Sequence, residues 1–361
     1  MTPRLLLTSL LAACLTSAAL GQTSGQSGLD RAIIGANTQL TEAQKNAVSS
    51  FAAKHLATIK DGTSSATGKS LEDARWALVT PARDPAATPA FRKAYAGLLI
   101  VELVPVVKGP DLRRALNAMQ ILRFTRSPDA IDVIIERTAP GAEADAGKRI
   151  AAASLLADAF EDLDASNTFY ESSSRRLRDA SAAESDWMAL QQKLNAIAAA
   201  ARRKDLPAEN ARNVRRAQAE AIGLVAKSAK ASTEADNRML AMQRILVGLR
   251  NDLLVMPQAD RSFVAKSLAP ALTDLVAATS SQWQAAHADA NMNASYASVV
   301  GTSEVILRLI DRGERPQAYT GSKPDADSRV LAASWESGDK AKFDAELKRW
   351  SAVVSAAPYK N

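Results

Sequence analysis

The chain is short of the residues that do covalent chemistry. Its 361 residues hold one cysteine, Cys14, and two histidines, His55 and His287. A lone thiol closes no disulfide within the chain, and two histidines on distant segments do not make the convergent ligand set of a zinc site. The HExxH and GxSxG spacings are also absent, which removes the metalloprotease and nucleophile-elbow readings. Aromatic residues are 5% of the sequence, so a core must be built from aliphatic side chains and alanine. No stretch alternates apolar and polar residues over the length of a strand, and no sheet is expected. Beyond the N-terminus, no uncharged apolar run is long enough to cross a bilayer.

The N-terminus itself is distinctive. Arg4 supplies a positive start, residues 5–15 an apolar run, and Ala19-Leu20-Gly21 the small-x-small sequence that signal peptidase accepts. Residues 1–21 therefore read as a secretory signal peptide cleaved before Gln22, with export to the periplasm or beyond. A second reading makes Leu11-Ala12-Ala13-Cys14 a lipobox and Cys14 a lipid-bearing N-terminus. Apolar character that continues through Leu15, Ala18 and Leu20 weighs against it, because lipoproteins turn polar after the cysteine. Either way the mature chain has no thiol to spare and must hold together by burial alone. The net charge of +6 favours acidic partners.

Residues 22–40 read as a flexible leader. The first helix starts after Thr41, where Thr41 and Gln44 form a capping box and Leu40 sits at the staple position. Val48, Phe51, Ala52, His55, Leu56 and Ile59 give it one apolar stripe, which Asp61-Gly62 ends. Ser70 caps a short helix to Thr80, followed by Pro81, Pro85 and Pro89. Then the punctuation becomes regular. Thr88-Pro89 and Ser127-Pro128 place a capping hydroxyl before proline at the first helical position, and Gly109-Pro110 opens another helix. Helices are predicted over 89–104, 110–124, 128–137 and 145–163.

Two segments within that region echo each other. Arg113-Arg114-Ala115-Leu116-Asn117-Ala118 and Lys148-Arg149-Ile150-Ala151-Ala152-Ala153 lie about 35 residues apart, followed by Ile121-Leu122 and Leu155-Leu156. This stretch resembles the HEAT and armadillo type of helical repeat over roughly residues 70–164, although its period is shorter than is usual for those repeats. The resemblance implies a curved stack whose concave face binds other macromolecules, and it carries over no catalytic residue.

After residue 164 the helices lengthen. Ala180, Ala183, Trp187, Leu190, Leu194, Ile197 and Ala201 alternate steps of three and four, Leu206-Pro207 breaks the helix, and two further seams follow. One runs through Val214, Ala217, Ala221, Leu224 and Ser228, the other through Met239, Met242, Leu246, Leu249, Leu253 and Met256. Short connections then predict an antiparallel three-helix bundle over 168–256. Further helices are expected near 260–289, kinked at Pro270, and over 293–312, 325–336 and 339–355. The expected architecture is thus all-α: a helical-repeat, HEAT-like stack over 41–164, a long antiparallel helix bundle over 165–256, and a helical segment over 257–361.

Most of the chemically tempting features have plainer readings. Gly62-Thr63-Ser64-Ser65-Ala66-Thr67-Gly68-Lys69-Ser70 ends like a phosphate-binding loop, but it has one residue too many between its glycines and follows a helix rather than a strand. A flexible linker explains it. Asp158, Glu161, Asp162 and Asp164 crowd one exposed turn instead of facing each other across a cleft, and Asp325-Ala326-Asp327 does the same. His55 falls in the apolar stripe of its helix, as a core-edge histidine. His287 lies one turn after Trp283 and near Asp289 and Asn291.

Positive charge concentrates between 165 and 231, at Arg175, Arg176 and Arg178 and then in two closer groups. With a turn at Leu206-Pro207, Arg202, Arg203 and Lys204 come beside Arg212, Arg215 and Arg216 as one cationic patch at the tip of a hairpin. The competing reading pairs these arginines with Asp205, Glu209 and Glu220 on a solvated face. Aromatics do not interleave with them in the sequence, which together with export argues against nucleic acid. The reading that follows is a secreted, non-catalytic binding or scaffolding protein of the cell envelope, with no cofactor and no metal, holding a protein or an anionic envelope polymer. The alternative is electrostatic attachment of the basic hairpin to anionic polymers or lipid head groups. An enzyme would need a pocket joining His287 and Trp283 to an acidic residue from a distant helix.

Overall fold

The computed structural model describes residues 28–61, 68–319 and 329–360, and every regular element among them is a helix. The signal-peptide and lipobox expectations, most of the Gly62-to-Ser70 loop and Asp325-Ala326-Asp327 lie outside the described residues. The first helices are α1 (Arg31–Ile34), α2 (Glu42–Lys60), α3 (Gly68–Arg83), α4 (Pro89–Lys108), α5 (Leu112–Phe124), α6 (Pro128–Glu136) and α7 (Ala146–Asp162). There follow α8 (Asn167–Ala182), α9 (Trp187–Ala201), α10 (Ala208–Lys230), α11 (Arg238–Val255) and α12 (Gln258–Ser281). The last are α13 (Trp283–Ala288), α14 (Ala290–Glu314), α15 (Val330–Ser337) and α16 (Lys340–Val354).

Local chemistry sets most of the boundaries. The capping box at α2 forms as expected: Thr41 Oγ1 accepts the Gln44 amide at 3.3 Å, and Gln44 Oε1 accepts the Thr41 amide at 2.9 Å. Asp111, Asp145 and Asp186 accept the third amide of α5, α7 and α9 at 3.0, 3.0 and 2.8 Å. Each contact satisfies an amide that the helix itself leaves without a partner. Two helices run further than their prolines predict. Pro81 lies inside α3 and Pro105 inside α4, because burial of Val79 and Ala82 around the first and of Leu103 and Val107 around the second outweighs the lost amide bond. Within residues 22–40, expected as a leader, Leu29, Ile34 and Leu40 are buried in the core.

The largest departure concerns the first long seam. One helix was expected through Ala180, Ala183, Trp187 and onward, whereas the chain forms α8, breaks at 183–186 and restarts as α9. Asp186 caps the new helix, and Glu184 turns into the interior.

Packing follows a simple rule along much of the chain: a helix rests on the next but one. Contacts of this kind join α2 to α4, α3 to α5, α4 to α6, α5 to α7, α6 to α8, α7 to α9, α8 to α10, α9 to α11 and α10 to α12. The two echoing segments open α5 and α7, which pack against each other. One continuous apolar core runs from Leu29 to Tyr359, with alanine at many of its contacts. This all-helical arrangement is compatible with a helical repeat.

The turn before α9 is held by charge. Glu184 is fully buried and takes the Arg149 guanidinium on both oxygens, each at 2.8 Å, and Lys193 Nζ at 2.7 Å. The Asp186 amide adds a bond at 2.9 Å. Arg149 also donates to the carbonyls of Glu143 and Ala144 at 3.0 and 2.8 Å, and Lys193 to that of Ala180 at 3.1 Å. Burial by itself would raise the Glu184 carboxyl, but the bonds from Arg149, Lys193 and the Asp186 amide outweigh it and bring its pKa from 4.5 to about 2. A depressed carboxylate contributes stability above its unfolded pKa and loses it as the pH falls through the folded one.

Two outcomes are expected in urea unfolding followed by circular dichroism. Glu184→Ala, which strands two buried cations, costs about 3–5 kcal/mol, whereas Lys193→Met, which leaves the Arg149 pair intact, costs less than about 1 kcal/mol. The stability gap between the parent and Glu184→Gln narrows as the pH is lowered from 4.5 towards about 2.

Candidate functional site

The basic hairpin exists where the sequence places it. Between the end of α9 at Ala201 and the start of α10 at Ala208 the chain turns through Arg202, Arg203 and Lys204, and Arg212, Arg215 and Arg216 follow on the first turns of α10. Arg215 donates to the Ala201 carbonyl at 3.2 Å, so the two groups of cations do meet. Much of their charge, however, is paired with carboxylates. Arg202 grips Asp252 of α11 through Nη2 at 3.0 Å and Nε at 3.2 Å. Arg212 Nε bonds Asp260 of α12 at 2.5 Å.

Arg203 folds back onto the end of α7, donating to the Phe160 carbonyl at 2.5 Å, lying 4.6 Å from the Tyr170 ring and pairing with Asp205. Arg216 bonds Asn213 at 3.1 Å, approaches Glu220 at 3.8 Å and covers the Phe263 ring at 5.5 Å. Burial lowers the pKa of Arg215, against the pull of the Asp260 and Asp252 carboxylates. Lys204 alone of the six is exposed with no ion-pair partner among the described residues. Asp205 and Glu220 were among the expected partners. Asp252 and Asp260 were not, and neither were Tyr170 and Phe263, the aromatics that the fold brings to these arginines.

The His287 neighbourhood is an aromatic cluster. The imidazole stacks on Trp283 with centroids 4.5 Å apart and lies 4.4 Å from Trp335. Its nitrogens face main-chain carbonyls, Nδ1 that of Trp283 at 2.9 Å and Nε2 that of Trp335 at 3.4 Å. Phe343 closes the cluster 5.1 Å from Trp283, and Asn293 accepts from Trp335 Nε1 at 2.8 Å. Asp289 caps α14 through the amides of Asn291 and Met292. These side chains fasten α13, α15 and α16 together. His55 meets Phe51 edge-on at 5.2 Å, with its pKa lowered by burial and then by Lys54. Asp158 and Asp162 pair with Arg123 and Arg126 at 3.9 and 2.7 Å. Among the described residues, no three metal-ligating side chains gather, and no helix is long and apolar enough to cross a membrane.

A different surface interleaves cations and rings. Trp76 on α3 is 41% exposed, with the guanidinium carbons of Arg75 and Arg83 at 5.5 and 5.6 Å from its ring. Arg83 also lies 5.3 Å from Phe124 of α5, whose ring has Arg123 at 4.6 Å on its own helix. The order Arg75, Trp76, Arg83, Phe124, Arg123 makes a ladder of alternating cations and π faces. Arg75 is steadied by Gln120, by Asn117 at 3.3 Å and by Glu72 at 3.6 Å, while Arg83 has no carboxylate partner among the described residues. Sequence reasoning passed over this site, although the repeated Arg-aromatic dipeptides, Arg75-Trp76 and Arg123-Phe124, were there to be read.

No protein-family model, curated protein or solved structure matches the chain significantly.

The hairpin geometry has a measurable consequence. Replacing Asp252 and Asp260 together by asparagine leaves all six cations in place but releases Arg202 and Arg212 from their partners. The variant is expected to elute from a polyphosphate column at higher salt than the parent and to lose about 1–2 kcal/mol in urea unfolding.

Proposed function

We propose that this is an exported, non-catalytic binding or scaffolding protein of the cell envelope, built as a helical-repeat stack and holding an acidic protein partner on its α3–α5 face. The observation that carries the reading is the ladder centred on Trp76 and Arg83. Tryptophan and arginine dominate the energetic centres of protein interfaces, where a rigid ring and a forked donor bind at small entropic cost. The Trp76 and Phe124 rings within 5.6 and 5.3 Å attract the Arg83 guanidinium without using its N–H donors, which can meet a carboxylate.

The succession of next-but-one helix contacts supports the repeat-stack part of the reading, since such stacks present rigid, extended surfaces to macromolecules. Attachment through the basic hairpin draws less support, because Arg202, Arg203, Arg212 and Arg216 already hold carboxylates. The catalytic alternative asked for an acid beside His287. The groups bonded to that imidazole are main-chain carbonyls.

Photo-crosslinking tests this reading. With benzoylphenylalanine in place of Trp76, irradiation of intact cells is expected to give a discrete adduct with an envelope protein. Arg83→Glu, at unchanged melting temperature, is expected to lower its yield about five-fold or more. Absence of an adduct, or an adduct indifferent to Arg83→Glu, overturns the assignment.

A further inference from the structure

We propose that the groove between α11 and α14 docks the protein on an anionic phospholipid surface. The last turns of α11 carry an unusual display. Val255 is 84% and Leu254 59% exposed, and Val247, Arg250 and Leu254, spaced by three and four residues, share one face of the helix. Beside them a groove of about 320 Å³ opens towards α14, with Val305 and Leu309 as its apolar floor. Arg250, Arg308, Arg312 and Arg329 stand around that floor, and no carboxylate lines it among the described residues.

The four cations differ in how they are held. Arg308 bonds the buried Glu304 at 3.1 Å, and Arg312 lies over the Tyr319 ring at 5.5 Å. Arg250 touches the Asn251 side chain at 3.2 Å, and Arg329 is exposed with no carboxylate partner among the described residues. Asp252, the acid nearest to Arg250 along α11, is held by Arg202. Arg250 and Arg329 are therefore the pair on which the electrostatic part of the proposal rests.

A lipid surface fits this combination better than an acidic protein does. Single exposed aliphatic residues are commonplace on protein surfaces, but here three share one helix, two of them at its end, beside a ring of guanidinium groups. Val255 projects outward at the helix end, and Leu254, at the edge of the groove, is itself more than half exposed. The boundary between head groups and acyl chains receives protruding aliphatic side chains and offers phosphates to forked donors at the same depth. The site shares no residue with the Trp76 ladder or with the six cations of the basic hairpin, so the proposal can be tested apart from both.

Sedimentation of the purified protein with vesicles tests it. Vesicles of phosphatidylglycerol and phosphatidylethanolamine are expected to bind at least about ten-fold more tightly than phosphatidylcholine vesicles, with the difference fading at high salt. Leu254→Asp with Val255→Asp, and separately Arg250→Glu with Arg329→Glu, should each weaken binding about ten-fold or more at unchanged circular dichroism. Trp76→Ala and the pair Lys204→Glu and Arg216→Glu should leave it unaltered, so that failure here and failure of the protein-partner reading are told apart. Equal binding to neutral vesicles, binding to neither kind, or loss with Lys204→Glu and Arg216→Glu instead, overturns the proposal.

Discussion

A full negative charge at Glu184, with no surface exposed to water, has to be answered by the groups around it. Removing a carboxylate from water costs several kcal/mol, and only close cations and amide donors offset that cost. Arg149 comes from α7, Lys193 from α9 and the amide from the intervening turn, so the carboxylate is satisfied only when these segments stand in one arrangement. Arg149 then extends the constraint to the loop before α7 through two carbonyls. The apolar contacts between α7 and α9 are largely alanine and leucine, which would tolerate small slips along the helix axes. The ionic cluster does not tolerate them, which is how a low-specificity core acquires one register.

Two further carboxylates near the C-terminus use the same device. Glu304 on α14 is fully buried and accepts the amides of Leu331 and Ala332 at 3.2 and 3.0 Å, supplying from another helix the cap that α15 lacks in its own sequence. Asp311, about two turns further along α14, takes Arg315 on both oxygens and the hydroxyls of Tyr319 and Tyr359 at 2.6 and 2.8 Å. Burial and the Asp311 carboxylate together push the Tyr319 hydroxyl up to about 12, so it remains a donor throughout the ordinary pH range. In each case an acid reaches across segments well separated in the chain, which is the work disulfides do in many exported proteins.

What the sequence disclosed and what it hid divide along the same line. Helix starts were legible wherever the signal was local: the Thr41 and Gln44 box, Thr88 before Pro89, and the echoing segments that open α5 and α7. The seam from Ala180 to Ala201 misled because its spacing is sound on both sides of the break. The decisive residue, Glu184, looks like an ordinary surface acid until Arg149 and Lys193 are known to face it. Likewise the cations of the hairpin were found, but their strongest partners, Asp252 and Asp260, lie on two other helices. The ladder at Trp76 joins residues of α3 and α5 that no local pattern connects, beyond two similar dipeptides.

Those same pairings redistribute the net charge. By composition the chain is basic, and the eye goes to the hairpin where six cations lie within fifteen positions. Yet an arginine locked to an aspartate presents a dipole, and its field falls away within a few ångströms in water with salt. The surplus is expressed instead where guanidinium groups meet rings or aliphatic side chains with no carboxylate at hand, as at Arg83 beside Trp76 and at Arg250 beside Leu254. Apolar neighbours lower the local dielectric without cancelling the charge, so fewer cations there exert a stronger pull on an approaching anion. Where a basic chain attracts its partners therefore depends less on the density of arginine in the sequence than on where the fold has left the acids out.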